Sequence, residues 1–318
     1  TAQWLSTLLE MREFAKKRGP IRYLINTEAH IDHIFGNHWF AGESLVVGHE
    51  NLKNIFWTVA DDKPCYEYSV DVLERQDPAA LPLMPSKEDY IVNYPQITYS
   101  DRMTLKVGDT DFFLYYTPGH SDAQSCVHVP KERVAFVGDT IFSGCQTWLH
   151  SADIDALLKS LDFLETLEDV DYIVPGHGPV VTKDYIPKQR AFIYEWIAAV
   201  AKGIEKGWDL DECIANISFA DRTPMDIGQE ETMGYVQRTN VIKCYHYLTH
   251  KKSATGYPPP EWRRIPAFQT GVYMLKDLPF FGTTRVANKG VDVALIVRPA
   301  HTGEAVKAAR RCGVCGIS

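Results

Sequence analysis

The chain has 318 residues, 45% of them hydrophobic, and a formal net charge of -8. That length allows one large core with a smaller appendage, and the acidic balance argues against nucleic acid, whose phosphates need a basic face. No apolar run approaches the roughly 20 residues of a membrane helix, so no membrane partner is expected, and seven scattered cysteines point to a reducing, cytoplasmic compartment rather than a disulfide framework.

The chain opens without Met, already inside a helical pattern. Leu5, Leu8, Leu9, Met11 and Phe14 recur at helical spacing until Lys16-Lys17-Arg18-Gly19-Pro20 ends the run. A missing front end is expected, and any leader would have gone with it. Ile21 to Asn26 and Ser44 to Gly48 read as strands, with a helix around Glu50 to Val59. Residues 60–97 read as irregular, with at most one short helix, the kind of long loop that shapes a pocket. Met103–Val107, the turn Gly108-Asp109 and Phe112–Tyr116 form a predicted hairpin; Cys126–Val129, Pro130–Glu132 and Val134–Val137 form another. A helix is predicted from Ile154 to Leu167, a strand at Tyr172–Val174, and mostly helix from Ile186 to about His250. A Pro-rich linker (253–271) then precedes a partial strand–helix–strand segment (272–318), leaving 1–252 as the main domain.

Four segments carry the chemistry. Asn26-Thr27-Glu28-Ala29-His30-Ile31-Asp32-His33 places four metal-ligand side chains within six positions directly after a strand. Thr117-Pro118-Gly119-His120-Ser121, Val137-Gly138-Asp139-Thr140 and Val174-Pro175-Gly176-His177-Gly178 each run an apolar strand into a Gly-flanked His or Asp. Strand ends in a layered α/β protein converge on one rim, and Gly beside a ligand permits close backbone approach. Imidazole and carboxylate donors together suit zinc, iron or manganese. The plain alternative, polar residues satisfied at turns, requires four motifs to coincide by chance.

These four motifs, in this order, resemble the metallo-β-lactamase superfamily over roughly residues 1–250. The resemblance implies a four-layer αββα sandwich, here lacking its N-terminal strands, with two divalent metal ions at one edge. Carried over position by position, Glu28, His30 and His120 would hold one ion, Asp32, His33 and His177 the other, and Asp139 would bridge them. The family pattern begins His-x-His-x-Asp-His, whereas this chain has Glu28 at the first position. Zinc is the expected metal, and the added carboxylate makes iron or manganese more competitive. The implied activity is hydrolysis of a small-molecule ester, thioester, lactone or amide by metal-generated hydroxide, with catalytic Asp32 orienting the nucleophile or relaying its proton. Asp139 resembles the glyoxalase II and lactonase branches; β-lactamases proper usually carry Cys or Ser there. Two rivals stay open. One is a di-iron redox enzyme, although flavodiiron proteins place their Glu at the position of His30. The other is a non-catalytic metal-binding domain.

Outside the motifs, His38 reads as a surface or supporting residue, and His49, His128, His150, His246, His250 and His301 read as ordinary. Asp122 reads as a helix start. Cys312 and Cys315 read as unrelated thiols, and the tail from Val272 resembles part of the CoA-binding domain of acyl-CoA synthetases without its phosphate-cradling Gly-rich loop.

Overall fold

The computed structural model describes residues 4–52, 64–226 and 228–250. In chain order, helix α1 (Leu5–Lys16) leads to β1 (Tyr23–Ile25), the single turn α2 (Ile31–Ile34) and β2 (Leu45–His49). Helix α3 (Pro64–Gln76) precedes five strands: β3 (Ile97–Tyr99), β4 (Arg102–Val107), β5 (Thr110–Tyr116), β6 (Ser125–Val129) and β7 (Val134–Phe142). Then come α4 (Ile154–Thr166), β8 (Tyr172–His177), α5 (Ile186–Glu205), α6 (Leu210–Asn216) and α7 (Met233–His250).

The strands form two sheets. Strands β1, β2 and β3 are parallel neighbours, while the second sheet runs β4-β5-β6-β7-β8, antiparallel except for the β7–β8 pair. Side-chain alternation along the first part of β7 shows why residues 134–137 are all apolar. Val134 and Phe136 face a core shared with β1, β2 and α1, whereas Ala135 and Val137 face a second core with α4 and α5. A strand covered on both faces has no wet side to mark with polar residues. Helix α4 buries Leu157, Leu161 and Leu164, and Asp153 caps it by accepting from the Ala156 N–H at 3.0 Å.

Strand direction builds the rim. Strands β5 and β7 each run antiparallel to β6, so they point the same way, and β8 is parallel to β7. Their C-terminal ends therefore share one edge of the sheet. At that edge the Ser125 N–H, at the start of β6, donates to the Thr27 carbonyl just beyond β1 at 2.7 Å, bringing the end of the smaller sheet to the same place.

The predicted helix over Glu50–Val59 lies largely outside the described residues, as do the Pro-rich linker, the strand–helix–strand tail and the two C-terminal cysteines. The segment read as irregular contains a 13-residue helix, α3, and ends in strand β3. The helix was hard to read because its buried stripe includes Ser69 beside Val72 and Leu73, so the apolar period is broken. Among the described residues no helix is long and apolar enough to cross a membrane.

Candidate metal centre

The first motif leaves β1 in extended conformation, and the turn of α2 swings Asp32 and His33 round behind His30. A buried pair of amides closes this loop. Asn26 and Asn37 exchange side-chain hydrogen bonds of 3.1 and 2.8 Å, and Asn37 also donates to the Asn93 carbonyl. Two glycines make the remaining approaches possible. Gly119 has φ of +149°, and a Cβ there would lie 2.3 Å from the Leu157 backbone, so only glycine lets α4 seat beneath His120. A Cβ on Gly176 would lie 1.9 Å from Asp139 Oδ1.

All seven sequence-predicted side chains come together. Glu28, His30, His120 and Asp139 each offer a donor atom to one group, and Asp32, His33 and His177 form a second, with donor atoms in each group within 4.8 Å of one another. Asp139 spans the two, its oxygens lying 3.2 Å from His120 Nε2, 3.3 Å from His33 Nε2 and 3.4 Å from His177 Nε2. Asp32 Oδ2 lies 3.3 Å from both His33 Nε2 and His177 Nε2.

Hydrogen bonds on the outer side of three rings set their tautomers. His120 Nδ1 faces the Trp148 carbonyl at 3.1 Å, which can only accept, so the proton sits on Nδ1 and the Nε2 lone pair points inward. Ser151 Oγ donates to the His120 carbonyl at 2.9 Å and is left to accept from His30 Nε2 at 3.4 Å, so His30 turns Nδ1 inward. His177 Nδ1 lies 3.0 Å from Asp226 Oδ2, which frees Nε2. Inward nitrogens then face carboxylate oxygens, an arrangement that needs positive charge between them, either a metal ion or a second proton on the imidazoles themselves.

The donor set fits two divalent ions on charge and on satisfaction. Three carboxylates (Glu28, Asp32, Asp139) carry three negative charges against the four positive charges of two dications. Glu28 is fully buried, and its Oε2 has no hydrogen-bond partner among the described residues, an arrangement costing about 1–3 kcal/mol without a cation or donor. The same polarity appears in the titrations. Burial alone would raise the Glu28 carboxyl, yet His30, His33 and His120 hold it down to about 2. Burial likewise opposes ionisation of Asp32 and Asp139, and facing imidazoles hold both well below the usual carboxylate range. His177 is pushed well up, because Asp139, Asp226 and Asp32 outweigh its burial, while burial lowers His120.

Sequence reasoning missed the residues around this cluster. His150, read as ordinary, stacks at a tilt 5.2 Å from His30, with Trp148 at 5.7 Å and Tyr235 at 6.3 Å, and burial pushes its imidazole well down. Ser151 and Asp226 were also missed. None lies in a Gly-flanked strand end, so no local signal marked them. Asp122 starts no helix; its carboxylate accepts from Tyr116 Oη and Asn51 Nδ2. His38 accepts from the Ile91 N–H and stacks on Tyr90.

The metallo-beta-lactamase superfamily model matches residues 3–177, and the chain belongs to that superfamily. Among curated relatives, a hydroxyacylglutathione hydrolase of Francisella tularensis subsp. novicida is 37% identical over 87 residues, covering 26% of this chain and 34% of that protein. One from Maricaulis maris is 35% identical over 78 residues, covering 24% and 30%. The chain thus spans only about a third of the length of these two relatives. Among solved structures, a beta-lactamase domain protein from Burkholderia ambifaria is 17% identical, with a TM-score of 0.51 over 74% of this chain and 70% of that one. The stereoselective inverting sec-alkylsulfatase Pisa1 from Pseudomonas sp. is 16% identical, with a TM-score of 0.50 over 80% and 46%. At these identities the two structures speak for the fold alone.

Proposed function

We propose that this protein is a dinuclear metal-dependent hydrolase of a small-molecule ester, thioester, lactone or amide. Glu28, His30 and His120 would hold one ion and Asp32, His33 and His177 the other, with Asp139 shared. The observation that carries this reading is the convergence of seven donors from the ends of β1, β5 and β8 and from the register break within β7, with three of the four imidazoles turned inward by their outer partners. The hydroxyacylglutathione hydrolases matched over part of this chain favour a hydrolase over other members of the fold. A bound pair of dications would supply a nucleophile from water near neutral pH and polarise the electrophilic centre.

The chain's own part is to handle the proton and hold the donors still. Of the three carboxylates Asp32 is the most open, its side chain 14% exposed against 0% for Glu28 and 4% for Asp139. Substrate and water can reach it. His33 and His177 offset its burial and keep it ionised at neutral pH, so it can orient a water by accepting its hydrogen bond and does not start as an acid. Asp32→Asn should therefore lower kcat by roughly 10²–10⁴-fold on any substrate of the parent. Unchanged turnover would remove the catalytic role assigned to Asp32; no turnover by the parent on any ester, thioester, lactone or amide would leave a non-catalytic metal-binding domain as the better account.

Glu28 favours one second reading. A third carboxylate hardens the donor set towards iron or manganese, which a di-iron redox enzyme would use. Metal analysis with an optical spectrum, on the same sample as a panel of thioester, lactone and lactam substrates, separates the two. Zinc without charge-transfer bands, and turnover abolished by chelator, is the expected result. Iron with charge-transfer bands and oxygen reactivity would replace hydrolysis with redox chemistry.

A further inference from the structure

We infer that Asp226 is a positioning residue for the second metal site, acting through His177. This inference rests on the proposed metal centre and adds to it a residue outside the 3–177 segment matched by the superfamily model. Its carboxylate Oδ2 stands 3.0 Å from His177 Nδ1 across 49 residues of sequence, and Asp226 itself is only 6% exposed. His120 is backed by the neutral carbonyl of Trp148 and His30 by the Ser151 hydroxyl, so Asp226 is the one charged acceptor among these three supports. A carboxylate behind an imidazole fixes the ring's orientation and tautomer and makes the inward nitrogen a stronger donor.

The loop that carries Asp226 is pinned from several sides. Gln146 donates from its backbone N–H to the Pro224 carbonyl at 2.8 Å and from Nε2 to the carbonyls of Phe219 and Thr223 at 3.0 and 2.7 Å. The Gln229 N–H returns to the Asp226 carbonyl, and the Trp4 ring packs so tightly on Gly228 that a Cβ there would lie 2.6 Å from it. A buried acid held this firmly has lost the freedom to turn to solvent. It lends its charge to His177, and the loop before α7 thereby becomes part of the metal centre.

The test is metal binding by the full chain, with zinc and cobalt as probes in competition with a chromophoric chelator. The parent should bind two equivalents. Asp226→Ala should keep one equivalent at parental affinity and weaken the other by about 10–100-fold. Asp226→Asn, which keeps an acceptor but loses the charge, should fall between. Parental affinity for both equivalents in both variants would overturn the inference, as would parallel weakening of both with a lowered Tm of the chelated protein, the mark of a merely structural acid. If neither variant folds, the parent decides: a slowly exchanging ring N–H proton assigned to His177 Nδ1 is expected in the zinc form, and its absence would overturn the inference. A parent that binds no metal at all would instead sink the proposed function.

Discussion

The two halves of the donor cluster are built differently. Around Asp32, His33 and His177 the imidazoles are almost sealed, at 0% and 3% side-chain exposure, and an additional carboxylate stands behind His177. Around Glu28, His30 and His120 the supports are neutral, His30 is 20% exposed, and one Glu28 oxygen lacks a partner among the described residues. Each half has one carboxylate of its own, Asp32 or Glu28, but only the Asp32 half gains donor strength from a further carboxylate outside the cluster. The half backed by Asp226 should retain its ion more tightly, while the half that holds Glu28 should decide which metal enters.

Breaking the link between the halves should have the largest effect. Asp139→Ala removes the oxygens that face His33, His120 and His177. It leaves three imidazoles without their shared anion, and is expected to lose both equivalents in a metal titration and all measurable turnover. Retention of one tight equivalent would mean that the halves are independent. Glu28→His sharpens the contrast by exchanging an oxygen donor for nitrogen. It should raise the zinc-to-manganese ratio taken up from an equimolar mixture, read by elemental analysis, and leave the second equivalent unchanged.

A smaller effect is expected from pH on the chelator-treated protein. The Glu28 carboxyl is held at about 2 against an ordinary 4.5, so its contribution to stability is complete above 4.5 and is lost as pH falls through about 2. His30 and His177 are raised above 6.5, so theirs is complete below that value and disappears as pH rises through the raised values. The buried imidazoles of His120 and His150 are lowered and work the other way, costing stability as pH falls below 6.5, so Tm of the chelated protein should peak at about pH 6.5. Adding zinc should move the peak upward, because imidazoles must lose their protons to bind it. A chelated Tm that rises steadily from pH 6 to 9 would contradict the assignment of cationic imidazoles to this cluster.

The ligand motifs were legible in the sequence because their requirement is local. At His120 the strand has ended and the chain turns, at His177 the strand is ending, and at Asp139 β7 breaks register at Gly138 and runs on to Phe142; each leaves apolar residues followed by Gly-His or Gly-Asp. The parallel course of β5, β7 and β8 then gathers distant motifs without further instruction. The supports carry no such signature. Trp148 contributes only a carbonyl, which any residue would supply, and Asp226 is one of many acids whose value depends on a loop pinned by Gln146. His150 looked ordinary because its neighbours His30 and Tyr235 are distant in sequence. Helix α3 was hidden for a different reason, since a serine stands in its buried stripe.

The central claim is that one carboxylate, Asp139, joins two cation sites. Anomalous diffraction from zinc-soaked crystals tests it most directly. The expected map has two peaks, one beside Glu28, His30 and His120 and one beside Asp32, His33 and His177, with Asp139 touching both. A single peak remote from Asp139, or none at saturating zinc, would contradict it.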